Sequence, residues 1–133
     1  YTVVDAPTPS QKPWQELAAK ADGFVIVSPE YNHGYPGALK MMLDALYSEF
    51  NYKPVAIAGV STGMLGGGRV VEQLRLMAIE FKMIPIREAV YFAKAKELNL
   101  EDYTPRINKM LDELIWFAQV LKDPRAKKQE QKV

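Results

Sequence analysis

The sequence contains no cysteine and one histidine, His33. Disulfides, thiol nucleophiles and iron–sulfur ligation are thereby excluded, and a zinc site of the usual His and Cys ligands has almost nothing to build on. Charge of one sign is lacking too. Seventeen Lys and Arg face 16 Asp and Glu, a formal net charge of +1, so no broad field draws the chain to nucleic acid or an acidic membrane surface. No apolar run reaches membrane-spanning length, and no stretch has the pattern of a signal peptide. A cytoplasmic enzyme or binding protein fits these absences, with neither nucleic acid nor membrane as partner. The 133 residues, 48% hydrophobic and 25% charged, suffice for one domain with a real core, yet are few for a complete doubly wound fold.

What is present is organised around residues 28–44, Ser-Pro-Glu-Tyr-Asn-His-Gly-Tyr-Pro-Gly-Ala-Leu-Lys-Met-Met-Leu-Asp. They follow the apolar run Phe24-Val25-Ile26-Val27 and lead into Leu39, Leu43, Leu46 and Phe50 at helical spacing. A strand therefore empties into a polar loop that feeds a helix, with Pro36 suited to the first helical position. Loops at the carboxyl ends of strands are where open α/β sheets bind ligands.

The rest of the chain repeats this design. Tyr1 to Asp5 reads as the tail of a strand and Ala6 to Lys12 as a loop, followed by a short amphipathic helix carrying Trp14, Leu17, Ala18 and Ala21. Phe24 to Val27 lacks alternation, which predicts a strand covered on both faces. Pro54 to Ser61 is a second such strand, ending in the glycine-rich loop Ser61 to Arg69. The helix after it buries Val70, Val71, Leu74, Met77, Ala78 and Phe81 by spacing. Two strand–loop–helix units in succession indicate a parallel sheet with right-handed crossovers. A third extended segment, Met83 to Phe92, contains Pro85, which predicts an edge or a bulge. Thr104-Pro105 reads as an N-cap and first helical residue. The helix it opens carries the stripe Ile107, Met110, Leu111, Leu114, Ala118 and Leu121, with Trp116 and Phe117 off it.

The loops narrow the chemistry. Gly66 to Gly68 precede a helix and expose amides suited to an anion, but no Lys-Ser/Thr follows and the Gly-x-Gly-x-x-Gly spacing is absent, which disfavours an ATPase or a standard NAD fold. Ser61 is not in a Gly-x-Ser-x-Gly elbow. Glu30 has no second carboxylate at glycosidase spacing, so it serves as a base, a salt-bridge partner or a subunit contact. His33 either stacks on a planar ligand or fills the loop, and Tyr31 and Tyr35 offer rigid aromatic surface with a polar tip.

Residues 21–40, Ala-Asp-Gly-Phe-Val-Ile-Val-Ser-Pro-Glu-Tyr-Asn-His-Gly-Tyr-Pro-Gly-Ala-Leu-Lys, resemble the signature of the NADPH-dependent FMN reductase family, the flavodoxin-like group that includes quinone, azo-dye and chromate reductases. Gly63 to Arg69 with Gln73-Leu74-Arg75 is similar to that family's second loop and helix. The resemblance implies an α/β, flavodoxin-like doubly wound parallel sheet in three α/β/α layers over residues 1–121, while residues 122–133, almost without apolar side chains, read as a frayed, solvated tail. It implies FMN and NADPH as cofactors, with no side chain needed as acid or base, and the composition already speaks against a metal site. Pro29, Glu30, Tyr31 and Asn32, with His33 beside them, would line the isoalloxazine ring. Ser61, Thr62 and Gly63, with Gly66 and Gly67 behind, would approach it from the next strand. The implied reaction passes two electrons from NAD(P)H through FMN to a quinone, flavin or similar small-molecule acceptor. Family members of this kind self-associate as homodimers or homotetramers, which makes Trp116, Phe117, Leu76 and Ile79 interface candidates. The alternatives are a flavin-binding electron carrier or interaction protein without NADPH turnover, and a domain that holds no flavin. The family's first strand, phosphate loop and helix have no counterpart in the sequence, so the chain is expected to be the carboxyl part of a longer polypeptide.

Overall fold

The computed structural model describes residues 9–130. The expected strand tail at Tyr1 to Asp5 lies outside them. Helix α1 (Lys12–Lys20) leads to strand β1 (Phe24–Pro29), then come α2 (Gly37–Asp44), β2 (Pro54–Val60), α3 (Gly68–Glu80), β3 (Ile84–Phe92) and α4 (Thr104–Glu130). Among the described residues the strands form one parallel sheet in the order β1-β2-β3. Pro85 costs β3 a ladder donor, and the register slips between Val55 and Ile57 of β2, so the predicted irregularity is a bulge in β3.

Side chains alternate across the sheet and divide the core in two. On one face Ile26, Val55 and Ile57 pack with Ala18 of α1, Leu43 of α2 and Val70, Val71, Leu74 and Ala78 of α3. Phe50 is fully buried there, with Trp14, Phe24 and Phe81 as tilted or edge-on ring neighbours. On the other face Ala56, Ala58, Ile86 and Val90 pack with Met110 and Leu114 of α4. Helices on both sides of a parallel sheet give the three-layer, doubly wound α/β arrangement. Strand ends, and with them the loops 30–36 and 61–67, gather at one edge of the sheet.

Two expectations need correction. Among the described residues strand β1 is not covered on both faces: Val25 is 45% and Val27 60% exposed, because α4 packs on β2 and β3 rather than on β1. Over residues 122–130 the chain is helical rather than frayed, and of the side chains described there from Lys122 to Lys128 all but Arg125 are exposed. Helix α4 runs through Pro124 to Glu130, and Lys122 and Arg125 both donate to Asp22, just before β1. The Arg125 side chain is buried, which ties this stretch of helix to the body of the domain.

Candidate functional site

The Pro29–Gly34 segment leaves β1 and closes at once into a tight turn. The Tyr31 N–H donates to the Gly34 carbonyl at 2.8 Å and the Gly34 N–H to the Tyr31 carbonyl at 3.0 Å. Asn32 and His33 between them both have left-handed backbones, with φ of 50° and 69°. This is the pattern of a type I′ turn; Asn tolerates it readily, while His adopts it only where its surroundings hold it.

The second loop leaves β2 alongside. Its Ser61 N–H donates to Phe92 O at the end of β3, and the Ser61 Oγ donates to Gly63 O at 3.3 Å. From the far side, the N–H groups of Lys94 and Ala95 donate to Gly63 O and Ser61 O. The loop is held on both flanks before α3 begins.

The two loops meet around a cleft of about 310 Å³ whose walls include Glu30, Asn32, His33, Ser61, Thr62 and Gly63, together with Met64, Leu65 and Arg69. A broader hollow of about 760 Å³ adjoins it along His33, Leu65 and Arg69 and extends to Gln73 and Tyr91. Among the described residues, the N–H groups of Asn32, His33, Thr62 and Gly63 have no protein acceptor. A cleft edged with free amide donors suits a flat ligand whose rim is rich in oxygen and nitrogen acceptors. An oxidised flavin ring has such a rim, so the residues present fit that group.

Other residues expected at the site sit differently. The Tyr31 side chain is 62% exposed at the turn, while Tyr35 packs against the first core cluster. The Glu30 carboxylate is turned into the protein, onto the start of α3. Burial pushes the Glu30 carboxyl up, but the hydrogen bonds from Arg69 and the Val70 amide outweigh that and hold it below the ordinary glutamate value. Gly66 and Gly67 pack against strand ends. A Cβ on Gly66 would stand 2.6 Å from the Tyr91 carbonyl carbon, and one on Gly67 would stand 2.7 Å from the Val60 nitrogen. Their positive φ values, 58° and 80°, make the sharp entry into α3 possible.

Met64, Leu65 and Arg69 are wall residues that sequence reasoning did not single out. Their location inside the glycine-rich loop was the available signal. Of the interface candidates, Leu76, Ile79 and Trp116 are exposed, whereas Phe117 packs partly against the second core cluster and edge-on to Trp116. Among the described residues no group of three or more His, Cys, Asp or Glu is placed to hold a metal ion, and no helix is long and apolar enough to cross a membrane.

Comparison with known proteins bears on this geometry. The model of a family described as NADPH-dependent FMN reductase matches residues 4–97. The chain is 51% identical over 72 residues to an NAD(P)H-dependent FMN reductase of Schizosaccharomyces pombe, covering 54% of this chain and 35% of that one. It is 34% identical over 116 residues to an NADPH azoreductase of a Bacillus species, covering 84% of this chain and 65% of that one. Among solved structures, the flavoenzyme NAD(P)H:(acceptor) oxidoreductase FerB of Paracoccus denitrificans superposes with a TM-score of 0.67 at 20% identity, over 90% of this chain and 70% of that one. An oxidoreductase of Corynebacterium diphtheriae superposes with a TM-score of 0.71 at 20% identity, over 87% and 64%. These structural likenesses speak to the fold. The chain spans between 35% and 53% of the length of three of the curated relatives it matches.

Proposed function

The chain belongs to the NADPH-dependent FMN reductase family, and from that premise we propose that it works as an NAD(P)H-dependent flavin oxidoreductase with a quinone, free flavin or similar small molecule as acceptor. One observation carries the proposal: the 31–34 turn and the 61–65 loop, on neighbouring parallel strands, share one cleft edged by unpartnered amide donors. FMN, when bound, supplies the two-electron chemistry, accepting hydride from NAD(P)H and passing the electrons on.

The chain's own residues bind and orient. The amides of Asn32, His33, Thr62 and Gly63 offer hydrogen bonds to the rim of the ring, and such donors are worth most where charge accumulates on reduction. The Ser61 hydroxyl keeps its loop closed by donating to the Gly63 carbonyl. Tyr31, exposed at the turn, has the shape to cover a ring face. Arg69, 44% exposed at the boundary of cleft and hollow, has its guanidinium on the Glu30 carboxylate, so it borders the site as half of an ion pair. No side chain in the cleft is required as an acid or base.

Self-association belongs to the same reading, supported by the exposed Leu76, Ile79 and Trp116. The cysteine-free composition is in keeping with a cytoplasmic setting. The test is a visible spectrum of the purified protein before and after incubation with FMN, followed by NADPH oxidation with a quinone. Retained flavin bands and acceptor-dependent turnover are expected. A protein that takes up no FMN sinks the proposal, and one that binds FMN but leaves NADPH untouched is an electron carrier instead. Tyr31→Ala and Asn32→Ala should each weaken FMN binding about tenfold, roughly the 1.4 kcal/mol of one lost contact.

A further inference from the structure

We infer that Glu30 is a positioning residue: its carboxylate fastens the 31–34 turn to the first turn of α3, and it serves the cleft through that attachment rather than by touching the flavin. The functional half of this inference rests on the flavin reading above; the attachment itself does not.

The geometry is closed around the carboxylate. The Arg69 N–H donates to Glu30 Oε2 at 3.1 Å, the Val70 N–H donates to the same oxygen at 3.3 Å, and the Arg69 guanidinium donates to Oε1 at 2.8 Å. The side chain borders the cleft but is only 7% exposed, and each of its oxygens accepts from α3. The two backbone donors belong to the start of α3, where helical N–H groups have no partner within the helix. A carboxylate there also meets the positive end of the helix dipole. Neither Gly67 nor any side chain before it caps α3, and Glu30 supplies that cap from 39 residues away in sequence.

A second tie lies one turn further along α3. The Gln73 side-chain amide donates to the His33 carbonyl at 2.7 Å. Meanwhile the Glu30 N–H donates to the Val60 carbonyl at the end of β2, at 2.9 Å. The turn is therefore held by β2 through backbone and by α3 through Glu30 and Gln73. This explains how two successive non-glycine residues stay left-handed, a state that L side chains rarely adopt unless their surroundings enforce it. Release of Glu30 would let Asn32 and His33 relax and carry their amides away from the cleft.

The test compares Glu30→Gln, Glu30→Ala, Arg69→Ala and the Glu30→Ala/Arg69→Ala double variant by three readouts. Amide exchange at Tyr31 and Gly34, measured without flavin, should speed up about tenfold in Glu30→Ala and much less in Glu30→Gln, whose amide oxygen still accepts from α3. FMN affinity should fall about tenfold in Glu30→Ala. If the amides favour the reduced ring, each tenfold loss of that preference lowers the two-electron potential by about 30 mV. The double variant should bind FMN no worse than Glu30→Ala alone, since both changes cut one attachment. Unchanged exchange in Glu30→Ala overturns the inference. So does strict additivity of the two single variants, which would mean that Glu30 meets the flavin directly. Should wild type fail to bind FMN, the proposed function falls while the exchange data still decide whether Glu30 holds the turn.

Discussion

Strands β1 and β2 are nearly the same object in sequence, short apolar runs that end in a polar loop, and they lie side by side in exact step, Val25 against Ala56 and Val27 against Ala58. Their surroundings differ completely. Ala56 and Ala58 are 0% and 2% exposed beneath α4, while Val25 and Val27 on the same face are 45% and 60% exposed. An unbroken apolar run tells which residues tolerate burial, but what covers them is decided by an element some 80 residues later in the chain. On the opposite face the two strands agree, since Ile26, Val55 and Ile57 share one core with α3.

The largest expected effect breaks this pairing by truncation. Ile57→Ala, in the shared core, should cost about 2–4 kcal/mol in denaturant unfolding, the usual range for a buried isoleucine that leaves a cavity. Val27→Ala should stay within about 0.5 kcal/mol, as for an exposed site away from special features. A Val27 cost that approaches the Ile57 cost would show that the bare face of β1 is covered in solution, and its dependence on protein concentration would tell a second copy from other covers.

The next effect concerns the ends of the same two strands, where Ser28 pairs with Gly59. A Cβ on Gly59 would stand 2.6 Å from the Gly67 carbonyl oxygen and 2.8 Å from that of Gly66. Backbone cannot rotate aside, so Gly59→Ala should cost about 1–3 kcal/mol and displace the second loop, which thermal unfolding and FMN titration would both register. Ser28→Ala, which gives up only the hydroxyl bond to the Pro29 carbonyl, should cost about 1 kcal/mol and leave the loop in place. Equal effects on flavin binding would mean that Gly59 is not what lets the loop lie against β2.

These strands also show what could be read beforehand. Hydrophobic spacing marks β1, β2, α3 and the stripe of α4, because each is set by neighbours a few residues apart. The resemblance of residues 21–40 and 63–75 locates the two loops that share the cleft. What escaped depends on distant partners. Glu30 in a polar loop looks available to a ligand until the start of α3 arrives beside it. Gly66 and Gly67, read from spacing as amides open to an anion, also pack closely against Tyr91 and Val60, which spacing does not reveal. Arg125, in a charged stretch after Pro124, looks solvated until Asp22, 103 residues earlier, receives it.

That last contact sharpens the comparison most finely, because α4 holds β2 by packing along its length and β1 by charge at its start. Lys122 Nζ lies 2.9 Å from Asp22 Oδ2, and Arg125 engages the other oxygen. The hydrogen bond from Lys122, with the nearby positive charges of both side chains, holds the Asp22 carboxyl below its ordinary value against the opposing pull of burial. A depressed carboxyl stabilises the fold above its unfolded pKa and loses that contribution as pH falls through the folded one. The Asp22 side chain is 38% exposed, so solvent screening keeps the contribution to about 0.5–1 kcal/mol. Asp22→Asn should therefore lower stability by that amount at neutral pH, and its stability curve should meet that of the wild type only once pH has fallen below the depressed folded pKa of Asp22, where both carry no charge at this position. Salt at about 1 M should shrink the neutral-pH gap, while leaving the Ile57→Ala cost nearly unchanged, since screening weakens ion pairs and not the burial of hydrocarbon. A gap that persists at acid pH and in high salt would mean that α4 grips the start of β1 through shape, as it grips β2.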